Sequence, residues 1–508
     1  MARLAQLEQE SQGGQARYEE EQQNLSKLLE EHRIVAAPVR VLSDDVLSEI
    51  FMVCMGVEAR PTSPAGIPVG MNLSWVCKRW RAVCVTSPCL WSQIVYTAPR
   101  DFTLASSRKT FINMLNIVDL YQLRSAACPL HVTINMLNYP ENRFDRDLDD
   151  AGNNDELDRL RRAIASSADR WKSLDIICFP HVLRRVHEWL GAGSLNALAS
   201  LEKLKVDLHG RYNTLALAEF IPESSEPLEL FAVAPKLRHV DLAVGTTEFK
   251  LPWEQIESWR GALPSIGHFA DLLRRSPRIT TCKLHIESET EVPYGFVHHD
   301  LRALGFRSRG DRFQQILGSL QLPSLVDLRI LLSGGTGGNM HWSQRTFSQF
   351  LQRSSCLLQR LMLHDVSYFT NTEELLEVLE SVPSLIELEC AERDSERSPA
   401  VIAYLLFERL TTDSAITSAL ASTTLPNLRT LSLMGSFWHD VPNLLIPMLK
   451  SRLDRPSPLK SFYLQLYPWP FDLNAKRAEI VKVALADTSL EIVIVDAFSW
   501  VSIAFPRL

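Results

Sequence analysis

A short frame recurs along most of this chain: a Leu or Ile followed by apolar residues three and five positions on. It stands at Leu174/Ile177/Phe179, Leu201/Leu204/Val206, Leu237/Val240/Leu242, Ile279/Cys282/Leu284, Leu325/Leu328/Ile330, Leu358/Leu361/Leu363, Leu385/Leu388/Cys390, Leu428/Leu431/Leu433, Leu459/Phe462/Leu464 and Leu490/Val493/Val495. A proline often sits two residues ahead of the first apolar position, at Pro235, Pro277, Pro323, Pro383 and Pro426, and Pro458 sits one residue ahead of Leu459. Such a frame fits a turn feeding a short strand whose alternate side chains point to one face. Segments of helical periodicity lie between the frames, among them Phe269-Ala-Asp-Leu-Leu, Phe313-Gln-Gln-Ile-Leu, Phe347-Ser-Gln-Phe-Leu, Glu373-Glu-Leu-Leu-Glu-Val-Leu and Ile480-Val-Lys-Val-Ala-Leu.

Repetition of helix, turn and strand gives parallel strands, and one unit alone cannot bury both its strand and its helix. The expected fold is therefore α/β: an irregular leucine-rich-repeat-like solenoid over residues 101–508, with parallel strands on the concave side and helices on the convex side. Repeat lengths from about the high twenties to the mid forties imply inserted loops. A doubly wound α/β sheet is the rival architecture, but it would not need so many similar strands in one register.

Before this array lies a segment of different character, residues 34–100. In Val39-Arg-Val-Leu-Ser-Asp-Asp-Val-Leu-Ser-Glu-Ile-Phe51, the apolar Leu42, Val46, Leu47, Ile50 and Phe51 recur at helical spacing, and Ser43 with Asp44 and Asp45 marks a helix start. After a Pro/Gly-rich insertion from Met55 to Met71, Leu73, Val76, Cys77, Trp80 and Cys84 form a second stripe. Ser87-Pro-Cys-Leu-Trp91 then reads as a very short third helix with Pro88 in its first turn. Three short helices carry more large apolar groups than so small a bundle buries in itself, so a partner is implied.

Leu42-Ser-Asp-Asp-Val-Leu-Ser-Glu-Ile-Phe51, followed by Val76-Cys-Lys-Arg-Trp-Arg81 and Pro88-Cys-Leu-Trp91, resembles the F-box. Ser43 stands where that family has Pro, and Asp45 where it has Glu. Leu251-Pro-Trp-Glu-Gln-Ile-Glu-Ser-Trp259, Leu273-Arg-Arg-Ser-Pro-Arg-Ile279 and Leu351-Gln-Arg-Ser-Ser-Cys-Leu-Leu-Gln-Arg-Leu361 extend the resemblance to F-box proteins of mushroom-forming fungi along nearly the full length. Pro252 reads as the first turn of a helix, and Trp253 and Trp259 as wedges between sheet and helix layers. The resemblance implies a substrate-receptor subunit of an SCF-type ubiquitin ligase, bound to a Skp-type adaptor and through it to cullin and RING subunits. It implies that Leu42, Leu47, Ile50, Phe51, Val76, Cys77, Trp80, Leu90 and Trp91 carry or support adaptor packing. No catalytic role and no cofactor are expected. Two other readings stay open: an adaptor-independent repeat scaffold that binds protein, and a hydrolase or transferase on an α/β sheet.

The frame itself marks a second surface. Residues between the inward apolar positions face the other way: Asp241, Lys283, Arg329, Met362, Glu389, Ser432 and Tyr463, with His285, His364, Met434 and Gln465 one step further. Their mixture of charge, Met and Tyr suits a protein or peptide target.

Other features narrow the chemistry. A net charge of -7 over 508 residues argues against a nucleic-acid partner. The amino terminus lacks an apolar signal core, and the apolar run near Ile492 to Phe505 is broken by Asp496, so a cytoplasmic or nuclear protein without a membrane span is expected. Nine cysteines without a C-x-x-C pair read as buried free thiols. The arm from 1 to 33, rich in Glu, Gln and Leu but broken at Gly13-Gly14, reads as a solvated helix or a short coiled coil. Asp145 to Glu156 has ligand-like spacing for calcium but Asp150 where the sharp turn needs Gly, so it reads as an acidic loop capping a helix. Ser333-Gly-Gly-Thr-Gly-Gly-Asn339 lacks the Gly-Lys-Ser/Thr of a phosphate loop, and His298-His299 has no spaced metal-ligand partner.

Overall fold

The fold was analysed in a computed structural model. It describes residues 21–30, 38–57, 69–97, 105–137, 155–179, 198–208, 229–242, 249–286, 295–309, 312–333, 342–364, 372–391, 424–435, 441–453, 458–466 and 488–496, with a few isolated positions between them. The acidic loop before Asp155, the glycine-rich stretch after Ser333 and the arm outside 21–30 lie beyond the described residues. The chain divides into two compact units, Met1–Val95 with Asn113–His131, and Tyr96–Ile112 with Val132–Leu508.

In the smaller unit, residues 21–30 form helix α1 with Leu25, Leu28 and Leu29 all exposed, as suits a solvated helix. Helix α2 (Asp44–Val57) starts where the sequence placed it: the Ser43 hydroxyl accepts from the Val46 amide at 3.4 Å, and Asp44 and Asp45 sit in the first turn. It runs on past Phe51, into the stretch read as a loop. The expected second helix is two. Helix α3 (Val69–Val76) stops at Cys77, whose extended backbone breaks the run, and the Cys77 sulfur accepts from the Trp80 amide at 3.4 Å to open α4 (Lys78–Thr86). A 3₁₀ turn (Pro88–Trp91) follows, with Pro88 at its start as expected.

The core of this unit closes on Trp91. Its indole N–H donates to the Cys84 carbonyl at 2.7 Å, its ring meets Tyr121 edge-on at 4.9 Å, and the Arg124 guanidinium lies 4.4 Å over it. Tyr121 and Arg124 come from the second half of α5 (Ala105–Arg124). Gly70 permits the approach of α3 to the 3₁₀ turn, because a β-carbon there would stand 2.8 Å from the Leu90 carbonyl oxygen.

One sheet, with β3 to β16 in the larger unit, has strands that follow chain order: β1 (Gln93–Thr97), β2 (Leu130–Asn135), β3 (Trp171–Cys178), β4 (Lys203–Leu208), β5 (His239–Leu242), β6 (Ser258–Leu263), β7 (Thr281–Ile286), β9 (Ala303–Arg309), β11 (Asp327–Ser333), β12 (Arg360–His364), β13 (Glu387–Ala391), β14 (Thr430–Gly435), β15 (Ser461–Leu466) and β16 (Glu491–Asp496). The short β8 (Phe296–Val297) and β10 (Leu320–Gln321) pair with each other. From β3 to β16 every pairing is parallel. The order never reverses, unlike that of a doubly wound sheet.

From Leu201 to Leu459 the frames fall in the expected register, each apolar position buried. Two frames are corrected. In β3 the buried row is Trp171, Leu174, Ile176 and Cys178, while Ile177 pairs with Asp207 on the other face. In β16 Ile492 and Ile494 pair with Phe462 and Leu464, which puts Val493 and Val495 on the face opposite to the one expected. Both strands are apolar on adjacent residues, so periodicity does not choose a face, and a one-residue slip inverts every side chain.

Between β3 and β16 the sheet holds two strands that the frames did not mark, β6 and β9. β9 carries the frame in full at Leu301/Leu304/Phe306, and β6 carries it at Ile256/Trp259 with Gly261 in the third place. Counting them nearly halves the spacing of the frames between Leu237 and Leu325. The stretch after Pro252 is therefore not a helix but a 3₁₀ turn (Trp253–Gln255) and then β6. Trp259 is fully buried on that strand, and the Gln255 side chain donates to the carbonyls of Ala234 and Leu237 at 2.7 and 3.0 Å.

Helices α6 (Asp155–Ser166), α7 (Ile266–Arg275), α8 (Arg312–Ser319), α9 (Gln344–Ser354), α10 (Thr372–Glu380) and α11 (Val441–Leu453) lie between strands. α7 and α9 are capped by Ser265 and Ser343, whose hydroxyls accept from the amides three residues on. Their apolar faces are buried, as with Phe269, Leu272 and Leu273 on α7 and Leu375, Val378 and Leu379 on α10. The core thus lies along one face of the sheet, and the other face carries side chains open to solvent. Among the described residues no helix is long and apolar enough to cross a membrane.

Candidate functional site

On the solvent side of the sheet, the parallel register turns the frames into rows. One row reads Asp175, Lys205, Asp241, Arg260, Lys283, Gly305, Arg329, Met362, Glu389, Ser432, Tyr463 and Val493, each opposite the next. Two residues further along the strands, Ala262, His285, Arg307, Leu331, His364, Ala391, Met434, Gln465 and Val495 form a second row. Every residue singled out for the target surface therefore falls in one of two adjacent rows. Met362 and Met434 are buried there, so they floor the face and do not project from it.

The sequence reading missed Asp175, Lys205, Arg260 and Arg307. Lys205 lies between Leu204 and Val206, where the same rule finds it. Arg260 and Arg307 belong to β6 and β9, which the frames did not mark, and Asp175 follows once β3 is set in register.

Charge on the face is arranged in neighbouring pairs. Lys205 lies 3.4 Å from Asp175, Arg260 3.6 Å from Asp241, Arg329 3.0 Å from Asp327, and His364 Nε2 3.0 Å from Glu389. Partial burial pushes the carboxyls of Asp175 and Asp241 up from their usual range, and the neighbouring Lys205 and Arg260 work against that rise. Burial pushes Lys283 down, and the like charges of Arg329 and Arg260 add to it. Arg329 is held in the charged form by its hydrogen bonds to Asp327.

The second candidate surface belongs to the smaller unit. The stripe read along α2 divides between two faces. Leu47 and Phe51 are fully buried, with Phe51 tilted against Trp80 at 4.7 Å. Val46, Ile50 and Val53 line the other side and are 44, 41 and 65% exposed. Asp45, Ser48, Glu49 and Cys54 complete a shallow depression around them. On α3, Trp75 and Val76 are exposed as well.

Of the residues expected to pack an adaptor, Ile50, Val76 and Cys77 are therefore open and Leu42 and Trp80 partly so, while Leu47, Phe51, Leu90 and Trp91 form the core beneath. Val53 and Trp75 are additions from the structure. Helix α2 outlasts its expected end, which is why Val53 was not seen.

His298 is buried, with Nε2 3.4 Å from the Ser276 carbonyl. The cysteines are not uniformly buried: Cys84, Cys178, Cys282 and Cys390 are, but Cys77 and Cys89 are exposed. Burial pushes the Cys84 thiol up to about 11 and Cys178 to about 12, which leaves both unreactive. No protein-family model matches the chain and no curated protein matches it, so the functional reading rests on these two surfaces.

Proposed function

We propose that this chain is a substrate-receptor subunit of an SCF-type cullin-RING ubiquitin ligase. In this reading the smaller unit is an F-box that holds a Skp-type adaptor, and the larger unit is a leucine-rich-repeat-like solenoid that presents a target protein. The observation that carries it is the divided stripe of α2: Leu47 and Phe51 anchor the helix to its own core, while Val46, Ile50 and Val53 stay open on its other side. An apolar helix face left open beside a polar rim is the form of a docking surface. The resemblance of Leu42 to Phe51 and Val76 to Trp91 to the F-box supplies the partner. The protein would act in the cytoplasm or nucleus, with no catalytic group or cofactor of its own, and ubiquitin transfer would belong to the cullin and RING subunits.

The test is co-purification of the full chain with a Skp-type adaptor. A stable interface of this kind covers roughly 800 Å² per partner, and loss of an anchor costs about 2 kcal/mol or more. Ile50→Asp with Val53→Asp should abolish capture while the chain keeps its melting temperature. Phe51 is a poor choice for that test, since its burial makes Phe51→Asp a folding defect. Equal capture by parent and variant would leave the adaptor-independent scaffold as the better reading.

A further inference from the structure

Midway along the sheet, the solvent face collects positive charge that its own carboxylates do not match. Arg260 on β6 pairs in register with Lys283 on β7, Lys283 with Gly305 on β9, and Gly305 with Arg329 on β11. In the next row Arg307 lies beside His285. Four permanent cations thus stand on four consecutive strands. Two carboxylates pair with them directly, Asp241, 3.6 Å from Arg260, and Asp327, 3.0 Å from Arg329, while Glu387 and Glu389 act on Arg329 from β13. Four against two leaves a local surplus of two positive charges in a chain whose net charge is -7.

The surplus is located. Lys283 makes no hydrogen bond or ion pair with any described residue, and neither does the exposed Arg307. Gly305 places no side chain between Lys283 and Arg329 across about two strand spacings, and Asp327 and Asp241 offset the repulsion on Lys283 only in part. Lys283 is half-buried, its ammonium disfavoured by lost hydration and by the guanidiniums of Arg329 and Arg260. An arriving anion would relieve both. Strands on either side are closer to balance: β3 to β5 set Lys203 and Lys205 among Asp175, Asp207 and Asp241, and β12 and β13 pair His364 with Glu389.

We propose that Lys283 and Arg307, framed by Arg260 and Arg329, bind an acidic segment of the target protein, one rich in Asp or Glu, laid across β6, β7, β9 and β11. The occupant is set by charge complementarity: a surplus of positive charge, partly desolvated on a strand face, discriminates against basic and neutral segments alike. This rests on the reading of the sheet face as the target surface. It does not involve the apolar face of α2, so adaptor capture and acidic-segment binding can fail separately.

The experiment uses the full chain and a fluorescein-labelled octapeptide of alternating Glu and Gly, read by anisotropy at low and moderate salt. Its Gln-Gly counterpart and a phosphoserine-Gly counterpart serve as comparisons. The expected result is binding of the Glu peptide that weakens as salt rises, no saturable binding of the Gln peptide, and at least a tenfold loss with Lys283→Glu plus Arg307→Glu. Lys283→Gln, which removes the disfavoured charge without reversing it, should fold at least as stably as the parent and still bind more weakly. Lys450→Glu on α11 should change nothing. Unchanged affinity in both Lys283 variants overturns the site; much tighter binding of the phosphoserine peptide overturns the choice of a carboxylate-rich partner.

Discussion

Arg79 and Asp44 join α4 to the start of α2: the guanidinium donates to one carboxylate oxygen through Nε at 2.9 Å and through Nη2 at 2.7 Å. The same side chain donates to the carbonyl of Arg40 at 2.9 Å and to that of Leu42. One planar fork thus fixes the approach to α2 and its first turn together. Arg79→Ala should cost about 1 kcal/mol, a modest figure because the pair is largely solvated. Arg79→Lys should recover little of it, since an ammonium cannot span the same acceptors. Urea unfolding of the two variants checks both statements, and full recovery by Lys would reduce the contact to simple charge attraction.

Trp91 is fully buried, with its N–H bonded to Cys84 and its ring against Tyr121 and Arg124. Trp91→Ala should destabilise the smaller unit by about 3–5 kcal/mol. Limited proteolysis should then cut within 69–91 before the sheet region is attacked; a variant as resistant as the parent would contradict this core assignment.

Two glycines should respond in opposite directions. A β-carbon on Gly261 would stand 2.2 Å from the Leu242 carbonyl oxygen and 3.0 Å from the Trp259 ring, whereas one on Gly318 meets nothing within 4 Å. Gly261→Ala should therefore cost about 1–3 kcal/mol by forcing β5 and β6 apart. Gly318→Ala, near the end of α8, should add roughly 0.5 kcal/mol through helix propensity. Thermal melts of the pair give the comparison.

His298 should make stability fall on mild acidification. It is buried, Nδ1 has no partner among the described residues, and lost hydration holds its pKa below the ordinary 6.5 despite the Ser276 carbonyl and Asp300. The unfolded chain takes up a proton near pH 6.5 that the folded chain resists, so stability is retained above that pH and lost as pH falls through it. His298→Gln keeps a donor toward Ser276 without titrating, and should flatten the fall in stability between pH 7.5 and 5.5. Equal slopes in urea titrations would remove His298 as the cause.

Cys89 and Cys128 hold their sulfurs 3.2 Å apart, with Cys89 exposed. Glutathione disulfide should join them through a mixed disulfide at Cys89, releasing two glutathione thiols and lowering the protein mass by two hydrogen atoms. Peptide mapping should find the cross-link, and Cys89→Ser should prevent it.

The sequence by itself determined the repeating core. A Leu or Ile followed by apolar residues at three and five positions needs no partner strand to be recognised, because the turn and the pleat impose that spacing locally. It also located the open rows from Asp241 to Tyr463, since alternate residues must face away from what is buried. It did not determine register where both faces are apolar, as at Ile176-Ile177 and Ile492 to Val495, because only the neighbouring strand selects between faces.

Only the tertiary structure decided what the charges amount to. Arg260, Lys283, Arg307 and Arg329 are far apart along the chain, and they become one surplus only when parallel pairing sets their strands side by side with Gly305 between. On α2, too, helical spacing gathered Val46, Leu47, Ile50 and Phe51 into one stripe, and packing against Trp80 assigned half to the core and left half open. Local rules fix which residues are apolar together, but burial depends on what lies across from them, and that is a property of the assembled fold.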